Sequence, residues 1–309
     1  MTFAPWPFYG KEEIRAAQKV LRSGKVNQWT GDEVFSFEKE YAKQLGVQYA
    51  VALSNGSVAL DVALRVLGIG PGDEVICPSR TFVASAHCVV LSGAVPVFAD
   101  VDPDSQNLTI ETIRAVCTPK TKAIIAVHVA GWPCELDALR GFCDAKGLYL
   151  IEDCAQAHGA RYKGKPAGSF GDISCFSFCQ DKIITTAGEG GMLVTDCRKY
   201  WDTAWSLKDH GRDFKVMFTK KHSRNFVWTV KTFGTNYRMT ELQAAIGRVM
   251  LKKLDGWVLK RRKLALILND GFEKISALRV TRPPQAEFHS YYKYYVFVRP
   301  ELLKPEWNR

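Results

Sequence analysis

Residues 173–192 read Ile173-Ser-Cys-Phe-Ser-Phe-Cys-Gln-Asp-Lys182-Ile-Ile-Thr-Thr-Ala-Gly-Glu-Gly-Gly-Met192. The apolar, β-branched and aromatic run over 173–178 predicts a buried strand, and 192–195 a second, shorter one. Between them Lys182 enters a segment that breaks into Thr-Thr-Ala-Gly-Glu-Gly-Gly, whose glycines permit close backbone approach. A lysine beside a loop is ordinarily a solvated surface charge. Set between two buried strands, this one can shed solvent and, as the neutral amine, act as a nucleophile.

Outward from this segment, strands and helices alternate. The pattern predicts strands at 49–53, 74–77, 95–99, 123–128 and 148–151, with helices at 57–67, 81–91, 110–116 and 135–146. Several strands are almost wholly apolar, which predicts an α/β fold with a mostly parallel central sheet covered by helices on both faces. Two amphipathic helices, 11–23 and 34–45, precede it and stop at Gly24 and Gly46. After residue 195 the pattern loosens into a basic, irregular tract over 208–236. Helices at 240–254 and 257–275 follow, then Pro283-Pro284 and a strand at 291–298. The expected organisation is an N-terminal segment, 1–25, packed on a small domain; a large domain, 26–252; and a small α+β C-terminal domain, 253–309, thin enough to be incomplete.

Composition narrows the function classes. With 309 residues, 47% hydrophobic and 24% charged, the chain can bury a large core and is not a disordered or fibrous protein. The net charge of +10 comes with no helix-turn-helix, zinc-finger or RNA-recognition signature, so a small anionic substrate is expected rather than nucleic acid. The apolar stretches 88–99 and 123–130 are too short to span a bilayer, and residues 1–10 lack the layout of a signal peptide, so no membrane partner is expected. Nine cysteines occur without Cys-x-x-Cys pairs. Cys77, Cys88, Cys154 and Cys175 sit in apolar runs, as small core residues of a reduced, cytoplasmic protein would, and no metal pattern appears.

Three further stretches lie at strand ends, where ligands bind in such sheets. Ser54-Asn55-Gly56-Ser57-Val58 follows a strand and opens a helix, whose N–H groups and dipole favour a phosphate, although the same letters make an ordinary N-cap. Glu152-Asp153 closes a strand. Only one of the pair can face a given ligand, and a carboxylate buried there needs a cation. Phe82 follows Pro78-Ser79-Arg80-Thr81 after another strand end, and could cover a flat ring or simply pack in the core. A phosphate cradle, an aromatic face, a carboxylate and a later lysine are together the parts that pyridoxal 5'-phosphate chemistry requires.

With Gly68-Ile69-Gly70-Pro71-Gly72-Asp73-Glu74-Val75, Glu152-Asp153-Cys154-Ala155-Gln156, Gly168-Ser169-Phe170-Gly171-Asp172, Gly188-Glu189-Gly190-Gly191 and Asn236-Tyr237-Arg238-Met239, the chain resembles a known family. It is the DegT/DnrJ/StrS group of pyridoxal-phosphate-dependent nucleotide-sugar aminotransferases, of the aspartate aminotransferase fold type I. The resemblance runs from residue 24 to the end. It implies that Lys182 bonds covalently to the cofactor, that Asp153 pairs with the ring nitrogen, and that Phe82 stacks on the ring. It places Gln156 near the ring hydroxyl and Gly56, Ser57, Val58 and Ser177 on the phosphate. Asn236 would reach the phosphate from the neighbouring subunit of a homodimer, and Thr30 and Gly31 would lie near the substrate. The implied reaction moves an amino group from L-glutamate, released as 2-oxoglutarate, to a nucleotide-linked keto-sugar in cell-surface polysaccharide or glycoside biosynthesis. A sugar dehydratase branch shares the fold but carries histidine where Lys182 stands. The alternatives are a non-catalytic cofactor-binding regulator on the same scaffold and such a sugar dehydratase. Relatives run past residue 309, where the small domain is expected to be completed.

Overall fold

A computed structural model describes residues 6–219, 230–304 and 307. Helices α1 (Lys11–Ser23) and α2 (Glu33–Leu45) lead to strand β1 (Tyr49–Leu53). The alternating unit then runs α3 (Gly56–Val66), β2 (Glu74–Pro78), α4 (Ala84–Leu91), β3 (Val95–Ala99), α5 (Ile110–Val116), β4 (Thr121–Val127), α6 (Leu136–Lys146) and β5 (Tyr149–Asp153). A short ribbon, β6 (Arg161–Tyr162) and β7 (Lys165–Pro166), precedes β8 (Ile173–Ser177) and β9 (Gly191–Thr195). Helices α7 (Arg198–Lys208), α8 (Phe214–Thr219) and α9 (Glu241–Phe272) follow, with the two-residue strands β10 (Leu278–Arg279), β11 (Glu287–Phe288) and β12 (Phe297–Val298) after them.

Seven strands form the central sheet in the order β1-β9-β8-β5-β4-β2-β3. Strand β9 runs antiparallel to β1 and β8, while the β8–β5, β5–β4, β4–β2 and β2–β3 pairs are parallel. Successive side chains leave on opposite faces. Ile151, Ile173, Cys175 and Leu193 pack with Leu60 and Ala63 of α3 and Cys88 of α4. On the other face Ile124, Ala126 and Leu150 meet Ile113 of α5 and Leu139 of α6, and Phe176 and Met192 meet Phe37 and Tyr41 of α2 and Met250 of α9. Each buried Leu, Ile, Phe or Met among them contributes about 1.5–3 kcal/mol, so the sheet is clamped from both sides. The expected mostly parallel sheet with helices on both faces is the one observed.

Several features differ from the sequence reading. The helices expected at 240–254 and 257–275 are one helix, α9, running through Asp255-Gly256. A mid-helix glycine costs about 1 kcal/mol, and the burial of Leu251, Leu254 and Val258 around it outweighs that. Helix α7, with Ala204 and Trp205 buried, was not expected at all. Helix α8 lies within the tract read as irregular, of which 220–229 fall outside the described residues. The strand expected at 291–298 is reduced to β12. Upstream of it Ser290 N–H donates to Gly131 O and Lys293 N–H to Ala130 O, so this backbone is spent on a loop of the large sheet rather than on a ladder. Strand β11 likewise pairs with β6. Helix α4 begins at Ala84, leaving Thr81 and Phe82 in the loop before it.

Candidate active site

The C-terminal ends of β5 and β8 and the N-terminal ends of α3 and α4 enclose a cleft of about 690 Å³, large enough for a cofactor-sized ligand. Its lining includes Gly56, Ser57, Phe82, Asp153, Gln156, Ser177, Lys182, Tyr292 and Lys293.

Helix α3 is started by Asn55, whose Oδ1 accepts from Val58 N–H at 2.9 Å. The N–H groups of Gly56 and Ser57 have no carbonyl one turn earlier in the helix and lie at the cleft. The helix sits hard against β8. A Cβ on Gly56 would stand 2.7 Å from Ser177 Cβ, so only glycine allows this approach. Ser177, at the end of β8, has its carbonyl held from behind by His158, whose Nε2–H donates to it at 2.7 Å. A carbonyl only accepts, so the proton sits on Nε2, and Nδ1 accepts from the Tyr41 hydroxyl at 3.0 Å. Burial pushes the His158 pKa down to about 4, keeping the ring neutral.

Strand alternation divides the two acids of β5. Asp153 leaves on the α4 side: its Oδ2 accepts from Ser85 Oγ at 2.7 Å and its Oδ1 from Ala155 N–H at 3.1 Å. Burial pushes its carboxyl up against the pull of those two donors. It is a buried acid with spare lone pairs, and it favours a cationic ligand. Glu152 leaves on the other face, where the His128 ring, the N–H groups of Gly168, Phe170 and Gly171, and Ser174 Oγ all donate to it. Burial would raise Glu152, but His128 and these N–H groups outweigh it and hold the carboxyl low. Glu152 therefore braces the Gly168–Gly171 turn and takes no part in the cleft. Cys154 stands beside this pair, and its buried thiol is pushed up to about 12. His128 Nδ1 accepts from Cys134 N–H and its Nε2 faces Glu152, so the ring has no lone pair left for a metal.

Lys182 is mostly buried, and its Nζ lies 3.2 Å from Asp181 Oδ2 and 3.4 Å from the Tyr292 hydroxyl. Phe82 is 67% exposed at the cleft rim, which removes the core alternative and leaves a ring free to cover a flat ligand. Gln156 lines the cleft with its Oε1 accepting from Ala130 N–H at 2.7 Å, so its amide N–H groups remain to donate.

Thus Gly56, Ser57, Phe82, Asp153, Gln156, Ser177 and Lys182 come together. Val58 does not line the cleft, and its N–H is taken by Asn55. Asn236 lies outside its own chain's cleft, bridged to Asp209. Thr30 and Gly31 form a turn closed on Asn27 O and packed against Glu241, whose carboxylate accepts from Glu33 N–H and Val34 N–H at the start of α2. Ser85, His158, Asp181 and Tyr292 were not singled out from sequence. Of these, only Asp181, next to the lysine, had a local signal.

The family model described as the DegT/DnrJ/EryC1/StrS aminotransferase family matches residues 7–306. The chain is 41% identical over 286 residues to the GDP-perosamine synthase of Vibrio cholerae, covering 93% of this chain and 74% of that protein. It is 38% identical over 278 residues to the spore coat polysaccharide biosynthesis protein SpsC of Bacillus subtilis, covering 89% and 71%. Among solved structures, an aminotransferase from Psychrobacter cryohalolentis superposes with a TM-score of 0.96 at 47% identity, covering all of this chain and 80% of that one.

Proposed function

The chain belongs to the DegT/DnrJ/EryC1/StrS aminotransferase family, and from that premise we propose that it transfers an amino group from L-glutamate to a keto-sugar carried on a nucleoside diphosphate, using pyridoxal 5'-phosphate. The observation that carries this reading is the meeting in one cleft of a buried carboxylate, Asp153, a primary amine, Lys182, and a helix N-terminus with the N–H groups of Gly56 and Ser57 unspent. The residues fit that cofactor. Gly56, Ser57 and Ser177 would hold its phosphate, Phe82 would cover the ring, and Gln156 would donate to the ring hydroxyl.

When bound, the cofactor supplies a pyridine ring that accepts the electron pair left as the donor loses its α-proton. Asp153, whose burial makes an ionic partner favourable, would keep that ring cationic. As the free amine, Lys182 Nζ would take the proton from the α-carbon of the amino acid and deliver it to the cofactor carbon bonded to the donor's nitrogen. The sheet floor under Cys175 and Phe176 keeps water from that side of the cleft. A second cation at the rim, Lys293, suits a substrate carrying a diphosphate. The naming of the two relatives above for perosamine and coat polysaccharide supports a role in surface polysaccharide biosynthesis. We place the protein in the cytoplasm as a homodimer, with Asn236 of each chain turned toward its partner's cleft. No helix among the described residues is long and apolar enough to cross a membrane.

The test uses purified protein loaded with the cofactor. Borohydride reduction and peptide mapping should label Lys182, and L-glutamate added without borohydride should convert the bound cofactor's absorbance to that of its amino form. A panel of nucleotide keto-sugars should then reverse the change. Label on another lysine, or a spectrum indifferent to glutamate, would overturn the proposal.

A further inference from the structure

We propose that Asp181 and Tyr292 are a positioning pair for the side chain of Lys182, holding its ε-amine at the cleft wall in the cofactor-free protein. The inference rests on the reading of Lys182 as the reacting amine. Three contacts converge. Lys182 Nζ stands 3.2 Å from Asp181 Oδ2 and 3.4 Å from the Tyr292 hydroxyl, and that hydroxyl donates to the same Asp181 oxygen. Nζ also lies 5.0 Å from the Tyr292 ring centroid, within reach of the ring's negative face.

Asp181 alone would be a weak partner, because its side chain is 53% exposed and an exposed pair must order two side chains against solvent. Tyr292 changes that. It arrives from a segment anchored elsewhere: Ser290 N–H and Lys293 N–H bond to the 130–131 loop, and Arg261 Nη1 donates to the carbonyls of Tyr291 and Tyr292. Its hydroxyl therefore comes from a fixed place and pins the carboxylate in the rotamer that meets Nζ. Burial would raise Asp181, but the Tyr292 hydroxyl and the Lys182 charge hold its carboxyl below the usual range.

The other charged or titratable groups around Lys182 are otherwise engaged or set apart. Glu189 is paired with Cys179 Sγ, Asp153 accepts from Ser85 and Ala155, His158 is neutral beneath Ser177, and Lys293 is a second cation. Among the described residues, Asp181 is the carboxylate in contact with Nζ. The pair thus parks the amine with its nitrogen directed at the cleft, and it links the lysine's placement to the docking of the 289–298 segment.

The experiment reads the amine itself and not turnover. Full-length protein freed of cofactor is treated with formaldehyde and cyanoborohydride over roughly pH 7 to 10, and each lysine's labelling rate is followed by peptide mass spectrometry. The neutral amine adds to the carbonyl, water leaves, and hydride from cyanoborohydride reduces the resulting C=N bond. Asp181→Asn removes the carboxylate that holds Nζ at the cleft wall, so at a fixed pH Lys182 should label roughly three- to tenfold faster. Tyr292→Phe should raise the rate part of the way, and Asp181→Glu, which keeps the charge, should stay near the parent. Surface lysines in the same digests should not move, which separates this effect from a loosened fold. An Asp181→Asn profile that superimposes on the parent's overturns the inference, as does an Asp181→Glu profile that matches Asp181→Asn. Label on another lysine in the borohydride mapping would instead overturn the parent reading.

Discussion

Acidification should loosen the floor of the cleft through one residue, His158. Its ring is buried, stacks on Phe178 with centroids 5.4 Å apart, and holds the Ser177 carbonyl through Nε2–H. Burial takes its pKa from 6.5 down to about 4. The folded imidazole binds its proton more weakly than the unfolded one, so as pH falls the unfolded chain takes up the proton first. Stability is unaffected above about pH 6.5, declines between 6.5 and 4, and levels off below 4, where the folded ring also charges. The whole shift corresponds to about 3 kcal/mol, and the part lying between pH 7.5 and pH 5 comes to about 2 kcal/mol. The assay is urea unfolding followed by circular dichroism at both pH values, for the parent and for His158→Gln, whose side chain can still donate to Ser177 but does not titrate. The parent should lose about 2 kcal/mol more than the variant between the two pH values. The variant's lower absolute stability, from losing the Tyr41 contact, cancels in that difference. Equal losses, within the roughly 0.5 kcal/mol such extrapolations resolve, would refute the argument that a neutral buried imidazole supports Ser177.

Two further outcomes follow from the same geometry. Asp153→Asn keeps the side-chain volume and a contact with Ser85 but removes the charge, so the cofactor should still bind. The glutamate-driven spectral change should slow by about 10²–10³-fold, the scale on which a preorganised charge acts, and a near-parental rate by stopped flow would remove Asp153 from its role. Gly56→Ala puts a methyl 2.7 Å from Ser177 Cβ and 3.1 Å from Ser177 Cα, so α3 must retreat. The overpacking should cost about 1–3 kcal/mol, seen as a lower urea midpoint and roughly tenfold or more weaker cofactor binding; an unchanged dissociation constant would show that Gly56 does not shape the phosphate cradle.

What the sequence reveals of this protein follows the range of the interactions concerned. The strands were legible to within a residue or two because those of a covered parallel sheet are nearly continuous apolar runs. The division of labour between Glu152 and Asp153 was legible because it depends only on strand alternation. The continuity of α9 was not, since Asp255-Gly256 is a local breaker signal and the decision belongs to packing of Leu254 and Val258 against Ala157 and Ala160. Helix α7 did leave a trace, Ala204, Trp205 and Leu207 at helical spacing, in a stretch where charges obscured it. Ser85 sits in an apolar helix 68 residues from Asp153, and Tyr292 lies 110 residues from Lys182. Nothing near either in sequence announces its partner, because the pairing is made by strand order and by the course of the C-terminal segment.

Strand order also explains why an antiparallel strand can interrupt this site without dividing it. Parallel β1 and β8 deliver their C-terminal ends to the same edge, yet β9 lies between them. Running the other way, β9 begins at that edge, and its first residue, Gly191, pairs with both Leu53 at the end of β1 and Ser177 at the end of β8. A side chain at Gly191 would collide with the Asn55 carbonyl. Without one, the turn from β1 into α3 folds across the start of β9 until Gly56 touches Ser177. The two glycines are therefore one device: Gly191 clears the path and Gly56 closes the gap. Between them they bring a helix N-terminus that follows β1 beside the strand that leads to Lys182. The glycine-rich run after the lysine thus serves the phosphate end of the cleft through packing, a role that Lys182's own neighbourhood does not disclose.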